Sequence, residues 1–250
     1  MFMAVKFIKW GNGKNVLIFL HYFGGDANCW KWVAEEISSE FTCIGINLPG
    51  FGNTQPILIP SILNYALNIQ SIIDQIGGIR HYSLIGHSMG GKIALQLAAI
   101  DGKKSIKNII LLAPSPPGIE PITPAIKLQL LKQPDKIEAV EIIDSLTFKK
   151  LSKFKLDIAV NAQLTTNPTV RTWWVNHGSQ QSIIHQLRKI ICPVTVLFSK
   201  EDEAINYKLI KKSVLPHLKN SKLIEIKKSG HLYPLEIPFC IAVEIAKICK

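Results

Sequence analysis

One short run, residues 82–95, constrains the fold of this chain more than any other part of it. An apolar stretch leads into Gly-His-Ser-Met-Gly at positions 86–90, and a helical pattern of small and apolar residues follows at once. The two glycines remove side chains that would collide in a tight turn from a strand to a helix. This order predicts a nucleophile elbow, a turn that raises one serine hydroxyl above the end of a sheet. We therefore predict that Ser88 is a nucleophile.

Apolar patterning extends this local prediction to the whole chain. Most apolar runs are continuous stretches of Val, Ile and Leu, which is typical of strands buried on both faces of a parallel sheet. The runs that predict strands are Val5–Trp10, Asn15–His21, Thr42–Leu48, Tyr82–Gly86, Asn108–Ala113, Val194–Ser199 and Lys222–Lys227. Helical patterns alternate with them at Trp30–Ser38, Ser61–Ile76, Ile205–Leu215 and Leu235–Cys249. This alternation predicts an α/β fold with a doubly wound, mostly parallel sheet.

The alternation stops between Pro114 and Ile190, where no clear strand pattern occurs. That stretch instead predicts helices at Ile126–Leu131, Lys136–Ser145 and Lys155–Leu164, a turn at Asn167-Pro168, and a further segment from Thr169 to Leu187. We interpret residues 115–189 as a helical cap inserted into a core formed by residues 1–114 and 190–250. The cap is expected to cover the edge of the sheet where the serine lies.

The charge of the chain indicates which kinds of molecule it is expected to bind. It has 29 Lys and Arg residues against 18 Asp and Glu, a net charge of +11, yet only Arg80, Arg171 and Arg188 are arginines. Proteins that read nucleic acids usually concentrate arginine and aromatic residues on one face, whereas these lysines are scattered. We therefore expect no nucleic-acid partner. The positive charge would attract an anionic substrate or carrier.

Cysteine usage and hydropathy suggest the environment of the protein. Five cysteines at irregular spacing, with no Cys-x-x-Cys and no Cys/His cluster, predict free thiols and neither a metal site nor a cofactor. The longest apolar runs are too short to span a bilayer, and the first six residues lack the features of a signal peptide. We expect a soluble, cytoplasmic protein without membrane insertion. The sequence carries no signal for an oligomeric state.

The order of elements and three short motifs resemble the α/β-hydrolase fold superfamily, in particular its serine esterases with a small helical cap. Residues 19–25, Phe-Leu-His-Tyr-Phe-Gly-Gly, resemble the His-Gly-Phe-Gly-Gly segment of that family. Residues 47–54 resemble its Asp-x-x-Gly-x-Gly-x-Ser stretch, and Ser88 matches its nucleophile. The resemblance implies a catalytic triad in the chain order serine, acid, histidine.

A serine nucleophile needs a base, and seven histidines compete for that role. We predict His231, because it follows the last strand pattern, precedes the last helix, and stands beside Gly230, which lets the loop turn back. The rivals are His21 and His87. We expect His21 to support the loop after the second strand by hydrogen bonds, and His87 to point away from the Ser88 hydroxyl.

The base in turn needs an acid that orients it. The loop after Val194–Ser199 offers Glu201, Asp202 and Glu203. The family pattern Gly-x-x-Asp implies Asp202, although Ser199 stands where glycine is usual. Glu201 is the alternative.

Two backbone N–H groups are expected to form an oxyanion hole, those of Met89 and Phe23. The family usually has glycine where this chain has Tyr22, so the donor in that loop is either Phe23 or a neighbour. We expect Tyr22, Trp174 and Leu232 to line the substrate pocket. Aromatic residues in the predicted cap favour an apolar acyl or aromatic substrate group, or else they pack the cap onto the core.

These parts predict a carboxylic ester hydrolase that works through an acyl-enzyme and acts on a small or medium apolar acyl ester. Residues 35–52 resemble the esterases that demethylate pimeloyl-carrier-protein esters, so the acyl substrate is either free or carrier-bound. Related enzymes use the same triad on lactones, thioesters or carbon–carbon bonds, and these reactions remain alternatives. A further alternative, of another class, is a homologue that binds a ligand without turnover.

Overall fold

The computed structural model describes residues 6–219 and 221–250 and contains one seven-stranded sheet. The strands are β1 Phe7–Trp10, β2 Asn15–Leu20, β3 Phe41–Ile46, β4 Tyr82–His87, β5 Ile106–Leu112, β6 Val194–Phe198 and β7 Ser221–Glu225. Their spatial order is β1-β3-β2-β4-β5-β6-β7, and every neighbouring pair is parallel except β1 and β3. The predicted mostly parallel, doubly wound sheet is confirmed.

Ten α-helices connect or follow these strands in the described ranges. They are α1 Lys31–Ile37, α2 Ile62–Ile76, α3 Met89–Ile100, α4 Pro124–Leu131, α5 Lys136–Ser145, α6 Lys153–Thr165, α7 Pro168–Asn176, α8 Tyr207–Ser213, α9 Tyr233–Glu236 and α10 Pro238–Cys249. Ser61 caps α2, because its hydroxyl oxygen accepts a hydrogen bond from the Asn64 N–H at 3.0 Å.

Proline explains two differences from the predicted helices. The pattern Leu235–Cys249 is divided into α9 and α10, and Pro238 occupies the first turn of α10. Asn167-Pro168, predicted as a turn, begins α7, with the Asn167 side chain accepting a hydrogen bond from the Thr169 N–H at 2.9 Å. Proline suits the first turn of a helix, since its missing N–H would have no intrahelical partner there.

The centre of the sheet lies in the apolar core. Every residue of β3 and β4 is buried, as the continuous apolar runs predict for strands covered on both faces. Helix α1 packs with α10, and α2 packs with α3. The buried middle strands therefore support the carboxyl edge of the sheet, where β4 runs into α3.

Along the chain, helices α4–α7 all follow β5 and precede β6. Helices α5 and α6 pack on each other and form a second apolar cluster that includes Tyr22 and Leu232, apart from the main core. The boundaries of a cap at residues 115 and 189 remain a prediction.

Residues 1–5 lie outside the described residues, and with them Val5 of the first predicted strand and most of the segment used to argue against a signal peptide. Of the helices that are described, none is long and apolar enough to cross a membrane.

Candidate active site

Ser88 stands in a strained backbone conformation between β4 and α3. Its φ is 52° and its ψ is −116°, a left-handed region that residues other than glycine rarely occupy. Neighbouring backbone holds it there: the Ser88 N–H donates to the Leu112 carbonyl at 2.9 Å, and its carbonyl accepts from the N–H groups of Gly91 at 2.9 Å and Ser115 at 3.0 Å. The elbow predicted from the sequence is therefore present at Ser88.

The two glycines of the elbow permit a close approach of backbone to backbone. A Cβ atom on Gly86 would lie 2.6 Å from the Gly90 carbonyl oxygen, and one on Gly90 would lie 2.5 Å from the Leu20 carbonyl oxygen. These distances are too short for any side chain. The turn therefore packs directly against the end of β2, next to the loop that contains Phe23.

His231 lies in the loop after β7, and its ring is hydrogen-bonded to Asp202. The distance from His231 Nδ1 to Asp202 Oδ2 is 2.9 Å, and both side chains are buried. A carboxylate can only accept, so Nδ1 carries the proton and Nε2 of the neutral ring is left as an acceptor. The His231 N–H donates to the Leu146 carbonyl at 2.6 Å, which attaches this loop to the end of α5.

The carboxylate of Asp202 is held at both oxygens. Oδ1 accepts from the N–H groups of Ala204 at 3.0 Å and Ile205 at 2.9 Å, and Oδ2 also accepts from the Tyr233 hydroxyl at 3.2 Å. Glu201, the alternative acid, instead accepts a hydrogen bond from the Ser199 hydroxyl at 2.6 Å. Of the two candidates, the structure thus brings Asp202 to His231.

The charge state of His231 depends on opposing influences. Burial alone would lower the pKa of its imidazole, but the charge of Asp202, the hydrogen bond to Asp202 and the charges of Glu120 and Glu236 outweigh burial. The pKa of His231 is therefore raised above the ordinary histidine value. This direction suits a residue that must hold a proton during a reaction and release it afterwards.

The rival histidines have other contacts. His21 donates from Nδ1 to the Tyr22 carbonyl at 2.8 Å and accepts at Nε2 from the Leu48 N–H at 3.1 Å; burial lowers its pKa to about 4. His87 donates from Nε2 to the His231 carbonyl at 2.8 Å, and burial lowers its pKa as well. Both rings are neutral and join loops around the site.

The predicted oxyanion donors lie at two chain turns. Met89 is the first residue of α3, where an N–H has no intrahelical acceptor. Phe23 lies inside a turn closed by a 3.0 Å hydrogen bond from the Gly25 N–H to the Tyr22 carbonyl, and Gly24 supplies the φ of +80° that the turn requires. The closing hydrogen bond of this turn does not use the Phe23 N–H.

One cavity of about 370 Å³ contains both Ser88 and His231 in its wall. Tyr22, Trp174 and Phe23 line it as well. Leu232 is not among its lining residues; it is fully buried in the second apolar cluster. Because His231 faces the cavity, the next side chain is directed to the other side of the loop, against α5 and α6.

Among the polar residues of the cavity wall that sequence reasoning missed are Ser115, Glu120, Gln163 and Arg171. They come from the loop after β5 and from α6 and α7, which no motif connects to the elbow. The only available signal was the rarity of arginine in a lysine-rich chain. Within the described residues, no group of three or more His, Cys, Asp or Glu side chains is arranged to hold a metal ion.

Several known proteins are similar in sequence to this chain. The dihydrolipoyllysine-residue acetyltransferase component of the acetoin cleaving system of Cupriavidus necator is 30% identical over 112 residues, which span 45% of this chain but only 30% of that protein. The 2-succinyl-6-hydroxy-2,4-cyclohexadiene-1-carboxylate synthase of Serratia proteamaculans is 23% identical over 97% of this chain and 96% of its own. The pimeloyl-[acyl-carrier protein] methyl ester esterase of Proteus mirabilis is 24% identical over 80% and 79%, respectively.

Solved structures and a family model agree on the fold. An esterase from Exiguobacterium antarcticum matches with a TM-score of 0.86 over 97% of this chain and 94% of that one, at 17% identity. The model of the alpha/beta hydrolase fold family matches residues 15–140, half of the chain. Together with the sheet order and the elbow, this match shows that the chain belongs to the α/β-hydrolase fold family.

Proposed function

We propose that this protein is a carboxylic ester hydrolase in which Ser88 is the nucleophile, His231 the general base and Asp202 the orienting acid. The 2.9 Å hydrogen bond between His231 Nδ1 and Asp202 Oδ2 carries the proposal, because it leaves Nε2 as the proton acceptor in the cavity that Ser88 also lines. Helices α4–α7 act as a cap, residues 115–189, over a core of residues 1–114 and 190–250.

The proposed reaction has two stages. His231 Nε2 takes the proton of the Ser88 hydroxyl while Oγ attacks the ester carbonyl, and the N–H groups of Met89 and Phe23 donate to the developing oxyanion. Each such donor contributes about 3 kcal/mol to the transition state in comparable enzymes. His231 then protonates the leaving alcohol, and a water molecule hydrolyses the acyl-enzyme. Asp202 holds the tautomer and stabilises the imidazolium.

The cavity supports a small or medium acyl group. Its volume of about 370 Å³ is at the lower end for small-molecule sites, and its wall includes Tyr22, Phe23, Leu130 and Trp174. The relative from Proteus mirabilis is named for esters of an acyl-carrier protein. The net charge of +11 would attract an acidic carrier, so it supports a carrier-bound substrate as well as a free one.

A serine-reactive fluorophosphonate probe tests the proposal directly. We expect the wild type to be labelled at residue 88, and Ser88→Ala to remain unlabelled under the same conditions. A panel of short-chain acyl esters, lactones and thioesters should then show hydrolysis, with esters as the best class. Labelling absent from the wild type, together with no turnover of any panel member, would reject the hydrolase and favour a protein that binds a ligand without turnover.

The full-length match to a carboxylate synthase supports a second candidate, a reaction on a carboxylate compound without net hydrolysis. It uses the same Ser88 and His231, and so it also predicts probe labelling. The ester panel distinguishes the two, because a synthase of this kind would leave esters, lactones and thioesters uncleaved.

The raised pKa of His231 predicts the pH dependence of activity and of stability. Only neutral His231 can accept the serine proton, so kcat/KM for a neutral ester should rise with pH through an apparent pKa above 6.5. Stability should change with pH in the opposite direction to activity. The ion pair between protonated His231 and Asp202 contributes fully to the free energy of unfolding at pH values below the pKa of the histidine in the unfolded chain. This contribution is lost as pH rises through the pKa of His231 in the folded protein. The pH dependence of kcat/KM measures the effect on activity. Denaturant unfolding of wild type and His231→Gln at several pH values measures the effect on stability. An acid limb at or below 6.5 contradicts the expectation.

A further inference from the structure

Arg171, on α7, is a buried cation without an acid partner. It is only 1% exposed. Nη1 donates to the Leu130 carbonyl at 3.2 Å, and Nη2 donates to the carbonyl and Oε1 of Gln163 at 3.4 and 3.1 Å, so all these acceptors are neutral. Nε has no hydrogen-bond partner. Across residues 6–219 and 221–250, no carboxylate oxygen lies within 4.0 Å of the guanidinium.

The charge of Arg171 persists despite burial. Burial lowers the pKa of its guanidinium to about 10, which still leaves it positive at neutral pH. The Phe23 ring lies 5.2 Å from Arg171 Cζ, and its π face offsets a part of the cost of burial. A buried charge that no opposite charge compensates is unfavourable, and a bound anion would remove that cost.

Lys92 is a second buried cation near the cavity, and it too has no carboxylate oxygen within 4.0 Å among the described residues, but a negative charge acts on it. Its Nζ donates to the carbonyls of Gly118 at 2.9 Å and Ser179 at 3.1 Å, and it faces the negative charge of Glu120. Glu120 lines the cavity and is opposed by Lys92, and burial raises the pKa of its carboxyl. The charges of Glu120 and Lys92 therefore act on each other, whereas burial alone shifts the pKa of Arg171.

We propose that Arg171 forms an anion subsite in the cavity beside Ser88, and that the preferred substrate is an ester whose acyl chain bears a free carboxylate. The inference rests on the proposed ester hydrolysis and names its substrate class. A carboxylate matches the planar donors of a guanidinium. A monoanion neutralises one arginine, whereas a dianionic phosphate would place excess negative charge close to Glu120 and Glu203, which line the same cavity.

Matched esters test the subsite by kinetics. Monomethyl glutarate and monomethyl adipate are compared with methyl pentanoate and methyl hexanoate, and acid release is followed at constant neutral pH. We expect kcat/KM to be about 10- to 100-fold higher for the half-esters, mainly through KM, as is typical of hydrogen bonds to charged groups. Arg171→Met should abolish this preference and Arg171→Lys should retain part of it. Arg188→Met, which removes an exposed arginine, should leave it unchanged.

A binding measurement separates this inference from the proposed function. In Ser88→Ala, monomethyl glutarate should bind by calorimetry, and Arg171→Met in that background should abolish binding. Binding without hydrolysis of any ester in the wild type would retain the anion subsite and reject the hydrolase. Hydrolysis of neutral esters with no preference for half-esters would retain the hydrolase and overturn the subsite.

A folding control accompanies both measurements. Since Arg171→Met removes an uncompensated buried charge, its midpoint of thermal unfolding should equal or exceed that of the wild type. If that variant does not fold, the wild type decides the question: the monoanion pentanoate should raise its unfolding midpoint and the neutral pentanamide should not. Equal shifts with the two compounds would overturn the proposal.

Discussion

Ser88→Ala should reduce kcat for ester hydrolysis by about a million-fold, the loss typical of removing the nucleophile from a serine hydrolase. The substitution removes only the hydroxyl group. The backbone of the elbow is held by backbone hydrogen bonds to Leu112, Gly91 and Ser115, and these do not involve the hydroxyl. The variant should therefore fold and bind substrate normally. Steady-state turnover, with active-site titration to exclude traces of wild type, measures the loss.

Ser115→Ala is the matched control for this variant. Ser115 is another serine in the wall of the same cavity, and its backbone N–H donates to the Ser88 carbonyl. We expect it to keep its activity within about 100-fold, since its side chain hydrogen-bonds to Glu120 and a hydrogen bond to a charged group is worth about 1.5–3 kcal/mol. Comparable losses in the two variants would show that Ser88 is not the nucleophile.

Asp202→Asn should lower kcat by about ten-thousand-fold with little loss of stability. Oδ1 of residue 202 accepts from the N–H groups of Ala204 and Ile205, so the amide oxygen of asparagine will keep that position. Its NH₂ group then faces His231 Nδ1, which must become the acceptor. The proton moves to Nε2, and the ring can no longer take a proton from Ser88.

Glu201→Gln is the control for that substitution. It makes the same chemical change one residue away, on a carboxylate that accepts from Ser199 and not from His231. We expect less than about a 10-fold change in kcat, in line with the loss of one hydrogen bond at a partly exposed site. Thermal unfolding of both variants checks that neither effect arises from misfolding. Equal losses of kcat would mean that the orienting acid has been wrongly assigned.

Local features of the sequence were sufficient to predict most of the fold. The glycines around Ser88, the helical pattern from Ser61 and the continuous apolar runs act over a few residues, and the structure contains the corresponding elbow, helix and buried strands. Proline was the exception. At Asn167-Pro168 and at Pro238 proline lies in the first turn of a helix. Proline has this role only where the residues that follow it are helical, and the proline itself does not show that.

The candidate site was predictable only where a loop is short and follows a strand. The loops that carry Ser88, Asp202 and His231 were located in this way, because parallel strands bring their carboxyl ends to one edge of the sheet, and the resemblance to the family implied Asp202 within its loop. The sequence left Glu201 open as the acid, and it directed Leu232 to the pocket. The identity of the acid and the location of Leu232 both depend on the direction in which consecutive side chains of a loop point. Contacts with neighbouring helices and strands determine that direction.

The sequence by itself determined the doubly wound sheet and the position of the serine within it, because strand burial and the tight turn at Ser88 depend on local patterns. Only the tertiary structure decided that Asp202 contacts His231, and that Arg171 reaches the cavity from α7 without a counter-ion. The reason is physical: hydrogen bonds, burial and unpaired charge depend on groups from distant parts of the chain, and these groups meet only when the chain is folded.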